Sequence, residues 1–256
     1  DTNASLALSR QMLDLTINVL GPDHADVGVG HLNLGADLRA VGRFDEAEIE
    51  AREALRIFRL VRGPDHPHSL LAMNNLANLL YSQTRFDEAL SMHRDVAARR
   101  AGALAADDPQ LAQSQYNIGK CLYRLGQTEA AVQAWQRALA IFEHSDDPAG
   151  DGLMPQLGLA LIEFDRGHFD SARRQAESLR ALIESSADGS LGLATVLFLE
   201  ARARRQIDAH DPQALERARA AQAALVSDSS RDLIDPVELQ RWIAAVGGLC
   251  GLPLIS

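Results

Sequence analysis

Three asparagines, Asn33, Asn75 and Asn117, recur 42 residues apart. Asn is a mediocre helix former, so three copies at one position of a helical pattern need a reason. A carboxamide carries both donors and an acceptor, which suits it to bonding the main chain of a bound peptide. Each Asn could equally bond a neighbouring helix or face solvent, and the sequence leaves both readings open. Asn74, Asn78 and Tyr81 share a helical stripe with Asn75. Tyr116, Lys120, Tyr123 and Arg124 share one with Asn117, and Arg39 follows Asn33. Spacings of three and four residues put each set on one side of one helix. All three tyrosines of the chain fall in these stripes. Arg39, Lys120 and Arg124 would make the surface locally positive in a chain of net charge −10, which favours an acidic protein or peptide ligand.

Other candidate chemistry is weak. The chain has no phosphate-binding loop, no H-E-x-x-H and no serine nucleophile elbow. Gly28-Val29-Gly30 opens a helix without a preceding strand and lacks the third glycine of a dinucleotide loop. His66-Pro67-His68 has no cluster of further ligands, and His24 and His66 read as polar turn residues. Acid pairs such as Asp45-Glu46 and Asp107-Asp108 read as helix-start charges. Arg99-Arg100 and Arg202, Arg204 and Arg205 read as solvated helix ends or outer faces. No catalytic residue, cofactor or metal site is expected.

The elements that must position the stripes follow from a repeat. Gly21-Pro22-Asp23-His24 returns as Gly63-Pro64-Asp65-His66, and Arg43-Phe44-Asp45-Glu46-Ala47 returns as Arg85-Phe86-Asp87-Glu88-Ala89. A period in this range means stacked helical units. Gly42 suits a helix exit, and Asp45 with Glu48 has capping-box spacing. Pro67 and Pro109 suit a first helical turn. The pattern divides the chain into five helix pairs, 21–62, 63–104, 105–146, 147–188 and 189–230. The fourth runs one residue short at Gly167-His168-Phe169, and the fifth looks interrupted around Ile207–Pro212. Residues 1–20 read as the second helix of a truncated pair, with Leu6, Leu8, Met12, Leu13, Leu15 and Val19 as one broad stripe. Residues 231–256 read as a capping helix and tail. Asp235-Pro236 starts that helix, and Leu239, Trp242, Ile243 and Val246 line one side of it.

These phrases resemble the tetratricopeptide repeat (TPR) family, in its 42-residue form found in kinesin light chain and in bacterial signalling proteins. The family's small residues appear as Gly35, Ala77, Gly119 and Ala160 in the first helices, and as Ala47, Ala89, Ala131 and Ala172 in the second. Gly inside a helix costs about 1 kcal/mol against Ala, so close helix approach is expected at Gly35 and Gly119. The resemblance implies an all-α, right-handed superhelical solenoid of antiparallel pairs, about 12 helices in all. It also implies that first helices line a concave groove, where Asn at this position bonds bound peptides. A fourth stripe, Met154, Leu157, Leu161 and Phe164, is either buried or an apolar subsite. The carboxylate clamp of chaperone-docking TPR domains matches at Asn78 and Asn117 but not at Asn74, Met154 and Gly158, where basic residues belong.

Composition bounds the function. Hydrophobic residues make up 46%, enough for a core, and aromatics only 5%, which fits Ala/Leu helix packing. Net charge −10 argues against general nucleic-acid binding. Cys121 and Cys250 are too few and too far apart for a disulfide framework, which points to a reducing cytoplasm. No apolar run reaches the ~20 residues of a membrane span. Lys120 is the only lysine beside 24 arginines, an Arg- and Ala-rich usage typical of a GC-rich bacterial genome. The expected function is a non-catalytic protein- or peptide-binding scaffold, the regulatory part of a larger signalling protein whose parent resembles bacterial Ser/Thr kinases. The alternatives are a self-associating structural module and a signalling-peptide receptor.

Overall fold

The computed structural model describes residues 2–144, 152–185, 192–225 and 236–249. They form twelve helices and no strand: α1 (Thr2–Leu20), α2 (Ala25–Ala40), α3 (Phe44–Arg62), α4 (Pro67–Ser82), α5 (Phe86–Ala101), α6 (Pro109–Arg124), α7 (Thr128–Phe142), α8 (Leu153–Asp165), α9 (Phe169–Ser185), α10 (Leu193–Ile207), α11 (Pro212–Ala224) and α12 (Pro236–Leu249). Two compact units divide the chain, residues 1–131 and 132–256. Within each, a helix packs mainly on the next one in sequence. The unit junctions expected at 146/147, 188/189 and 230/231, together with Asp235 and Cys250, lie outside the described residues.

The period is kept to the residue. First helices start at Ala25, Pro67 and Pro109, and second helices at Phe44, Phe86 and Thr128. The repeated loop phrase has a division of labour. Gly21 and Gly63 leave their helices at positive φ, where a Cβ is penalised. The Nδ1 atoms of His24 and His66 accept bonds from the Asp26 and His68 amides and so cap α2 and α4. Asp108, at the same position, caps α6 by accepting from the Gln110 amide. Asp23 and Asp65 pair with Arg56 of α3 and Arg99 of α5, each on the second helix of the pair that the loop opens.

The short turn corrects one expectation. Asp45 is not a cap, because α3 begins at Phe44 behind Arg43, whose side chain makes no capping bond. Gly42, at φ 80°, lets the Arg43 amide bond back to the Leu38 carbonyl, so the chain re-enters a helix at once. Glu48 turns away to Arg52 and to Arg85 of the next pair. The repeated phrase instead encodes a bidentate pair, Arg43–Glu46 and its copy Arg85–Glu88.

Thr84 occupies the Gly42 and Gly126 position at φ 61°, and it is exposed. A β-branched residue there carries strain of about 1–2 kcal/mol, partly offset on substitution by the extra freedom glycine gives the unfolded chain. Thr84→Gly should therefore stabilise the fold by about 0.5–1 kcal/mol in urea titration. A loss of stability would show that the turn is relaxed with threonine.

The glycines in helices differ in kind. Gly28 faces the Phe58 ring, 3.0 Å from where a Cβ would sit, and Gly30 faces Leu13 at 2.9 Å, so Gly28-Val29-Gly30 is a packing device. Gly35 is looser than expected, since a Cβ there would meet ordinary contacts from 3.5 Å. In the second unit Gly158 lies flat on Trp135, 2.7 Å from a built Cβ to the ring.

Other expectations change. The stripe of α1 is split, with Leu6 and Leu13 buried while Leu8, Met12, Leu15 and Val19 are exposed. The interruption at Ile207–Pro212 is a turn, capped by Asp211 on the Gln213 amide. The charged groups read as solvated are partly internal. Arg100 is buried and donates to the Gln110 carbonyl and the Ser114 hydroxyl, and burial holds its pKa below the ordinary arginine value. Arg204 belongs to a network around Glu200, which is 0% exposed and pairs with Arg180, Arg204 and Arg217 at 2.9–3.1 Å. Arg202 lies over the Phe164 ring at 4.5 Å and pairs with Glu238 of α12. Met154, Leu157, Leu161 and Phe164 are all buried, so that stripe is core.

Candidate binding groove

The stripes named from sequence lie on α2, α4 and α6, all in the first unit. α4 and α6 contain no Asp or Glu in their 16 residues each. This local absence of acid in a chain of net charge −10 leaves no negative side chain on either helix and Arg124 as the exposed arginine of α6.

A cleft of about 120 Å³ opens between α2 and α4 over α3. Gly35, Ala47 and Ala51 line it, with Leu32, Ala36 and Leu79 beside them and the polar groups Arg39, Asn75 and Asn78. It is well short of the roughly 300 Å³ at which small-molecule sites begin, and it suits a single side chain. The small residues on α3 create the space, which gives Ala47 and Ala51 a role beyond helix contact. Ala51 and Leu79 were not singled out from sequence. The four-residue step from Ala47 to Ala51 on one helix face was the only signal for Ala51, and Leu79 had none.

The Asn78 Oδ1 atom is buried beside this cleft and accepts no hydrogen bond. A buried carbonyl oxygen without a donor costs free energy, so a ligand N–H there would be rewarded. Arg39 and Arg124 are exposed, and neither forms an ion pair among the described residues. The Arg124 guanidinium stacks over Phe86 at 4.7 Å, which holds it at the end of α6.

The asparagines part company. Asn33 is exposed and Asn75 half-buried in the cleft wall. Asn117 is buried, and its Nδ2 donates to Asn74 Oδ1 at 3.1 Å, joining α6 to α4. One of the three therefore bonds a neighbouring helix. Lys120, Tyr81 and Tyr116 are buried too, with the ammonium 4.6 Å from the Tyr81 ring centre and 5.5 Å from that of Tyr116. These four residues form the wall of the unit and not its open surface. A lone lysine on a polar stripe reads as exposed, and the two aromatic faces beside it favour its buried place. Tyr123 is half-buried. The open members of the predicted set are Asn33, Arg39 and Arg124, with Asn74, Asn75, Asn78 and Tyr123 partly open.

Among the described residues no three His, Cys, Asp or Glu gather as a metal site, and no helix is long and apolar enough to cross a membrane. His66 and His68 stack edge-on at 5.2 Å, and His68 also meets Phe58.

The tetratricopeptide repeat family model matches residues 27–102 and 72–144, which span α2 to α7. Residues 27–144 are a tetratricopeptide-repeat array. The solved structures extend the likeness beyond α7. BtubC (BKLC) from P. vanneervenii is 16% identical with a TM-score of 0.66, over 89% of this chain and 92% of that one. The kinesin-light-chain TPR-like repeats of Podosopora anserina are 21% identical with a TM-score of 0.59, over 79% and 98%. A Rap protein complexed with competence and sporulation factor is 14% identical with a TM-score of 0.61, over 89% and 65%. At these identities the likeness is one of fold. No curated protein matches the sequence. The described residues are thus all-α, with the TPR fold of a protein-interaction scaffold.

Proposed function

We propose that the first unit binds an extended acidic peptide segment along α2, α4 and α6, without catalysis. The observation that carries this is the pairing of two acid-free helices, α4 and α6, with two exposed arginines that form no ion pair among the described residues, Arg39 in the wall of a side-chain-sized cleft and Arg124 at the end of α6. Asn75 and Asn78 supply amide groups for the ligand main chain, and the cleft takes one side chain. In this reading the groove belongs to the first three of five helix pairs, divided at 62/63 and 104/105. The Rap likeness supports the mode, since that protein was solved in complex with competence and sporulation factor. The cytoplasmic part of the reading rests on the two scattered cysteines, the bacterial part on arginine-dominated composition, and the signalling and kinase-like parts on resemblance alone.

The test is fluorescence anisotropy with ten-residue peptides, one rich in Asp and Glu and one with those residues replaced by Lys. The acidic peptide should bind, and its affinity should fall with salt. Arg39→Glu combined with Arg124→Glu should weaken it at least tenfold, about 1.4 kcal/mol, with the helical circular dichroism unchanged. Equal binding of both peptides, or an unaffected double variant, would remove the groove as the site.

A further inference from the structure

The cleft between α2 and α4 exists because the first copy of the repeat departs twice from the other copies. Ala51, in the cleft lining, stands at the same position of its second helix as His93 and Trp135, at steps of 42 residues. The second and third copies fill that position with a ring, 1% and 0% exposed, and the first leaves it to a methyl group. Gly35 departs in the same direction. Ala77 and Ala160 hold its repeat position as fully buried alanines, while a Cβ at Gly35 would meet only ordinary contacts from 3.5 Å, with Ala47 and Glu50 of α3. Gly inside a helix is destabilising against Ala, and close packing does not require it here. Two separate reductions in size, one on α2 and one on α3, therefore open the same space.

We infer that Ala51 and Gly35 set the specificity of the groove, by leaving a seat for one leucine-sized apolar side chain of the bound peptide. This rests on the acidic-peptide reading and adds to it the residue that anchors the ligand. The molecule contains its own gauge of the seat. Trp135 lies on Gly158, where any Cβ would come within 2.7 Å of the ring. With the short fourth pair allowed for, Gly158 holds the repeat position of Asn75, which lines the cleft. An indole therefore has no room beside Asn75. The volume agrees, since about 120 Å³ is less than the roughly 150 Å³ of a cavity that binds benzene. Apart from Arg39, Asn75 and Asn78 the lining is apolar, so the seated side chain is aliphatic. Arg39, in the wall, then meets an acidic residue next to the seated one.

Fluorescence anisotropy tests it, with Asp- and Glu-rich ten-residue peptides that carry one central guest residue. On the native chain the leucine guest should bind about tenfold more tightly than the alanine guest, and the tryptophan guest no more tightly than alanine. Ala51→Leu, which fills the seat from within, should erase the preference for leucine, and Gly35→Ala should reduce it. Both variants should hold or raise the urea midpoint, because the added groups enter open space and alanine replaces glycine in a helix. Gly158→Ala, which drives a methyl group into Trp135, should lower the midpoint and keep the preference. Equal binding of the leucine and alanine guests, or a preference that ignores both variants, would overturn the inference and leave the acidic-peptide reading standing. Tight binding of the tryptophan guest would overturn the size limit. A lower midpoint for Gly35→Ala would assign that glycine to packing and remove it from the seat. Failure of every acidic peptide to bind would remove the acidic-peptide reading, and the inference with it.

Discussion

Glu200→Ala should cost the second unit about 3–5 kcal/mol, the expected penalty for removing one partner from a buried ionic group. The carboxylate is fully buried on α10, and both oxygens are committed, Oε2 to Arg180 of α9 and Oε1 to Arg204 and to Arg217 of α11. It therefore ties three successive helices. Burial opposes the charge of Arg180 and Arg204, yet their bonds to Glu200 hold both pKa values above the ordinary arginine value. Truncation would leave these guanidinium groups sheltered with part of their compensation gone, although Arg180 keeps Glu184 and Arg204 keeps Glu177 and Asp211. Glu200→Gln retains an acceptor of the same shape and should cost less. Urea unfolding followed by circular dichroism measures both, and a loss below about 1 kcal/mol for the alanine variant would mean that the arginines repair the gap among themselves.

His93 should make the first unit acid-sensitive in a defined window. Its ring is 1% exposed on α5, and neither nitrogen has a hydrogen-bond partner. Burial first, then the charges of Lys120 and Arg100, push its pKa down from 6.5 to about 3. The folded state therefore holds the neutral ring, while the unfolded chain takes up a proton near pH 6.5. The associated stability is full above pH 6.5 and is lost as pH falls towards 3, at up to about 1.4 kcal/mol per pH unit. By pH 4.5 the loss reaches about 2.5 kcal/mol. Carboxylates add their own loss lower down. Arg56 bonds hold Glu53 below its ordinary value, and Arg85 bonds do the same for Glu88, so both contribute above pH 4.5 and fail beneath it. His93→Met removes the titrating ring and fills the space. Its stability should match or exceed that of the native chain at pH 7 and fall more gently between pH 6.5 and 4.5. Parallel slopes in that window would exonerate His93.

The helical plan was written in the sequence because each boundary has a local cause. Positive-φ glycines end helices, prolines open them, and the 42-residue echo gives each boundary a second witness. Capping was less legible. The repeated histidines of the loop do what Asp108 does in the third copy, and only that alignment hints at it. For the groove, the residue types could be read from the sequence, but their accessibility could not. Whether a polar side chain on a first helix faces ligand or neighbour depends on what the adjacent helix places opposite it. Asn117 meets Asn74, and Lys120 meets two aromatic rings, whereas Arg39 and Arg124 have no ionic partner among the described residues. Partners about one repeat away, Asn74 for Asn117 and Tyr81 for Lys120, decide such cases, and helical periodicity does not carry that information.

The packing of each helix on its sequence neighbour has a kinetic meaning. No native contact of consequence within a unit requires distant stretches of chain to find each other, so little loop entropy stands before the first favourable contacts. Folding can start at whichever helix pair is locally strongest and spread outward one helix at a time, and unfolding can retreat by the same route from the ends. The array then behaves less as one cooperative block than as a zipper whose terminal teeth open first.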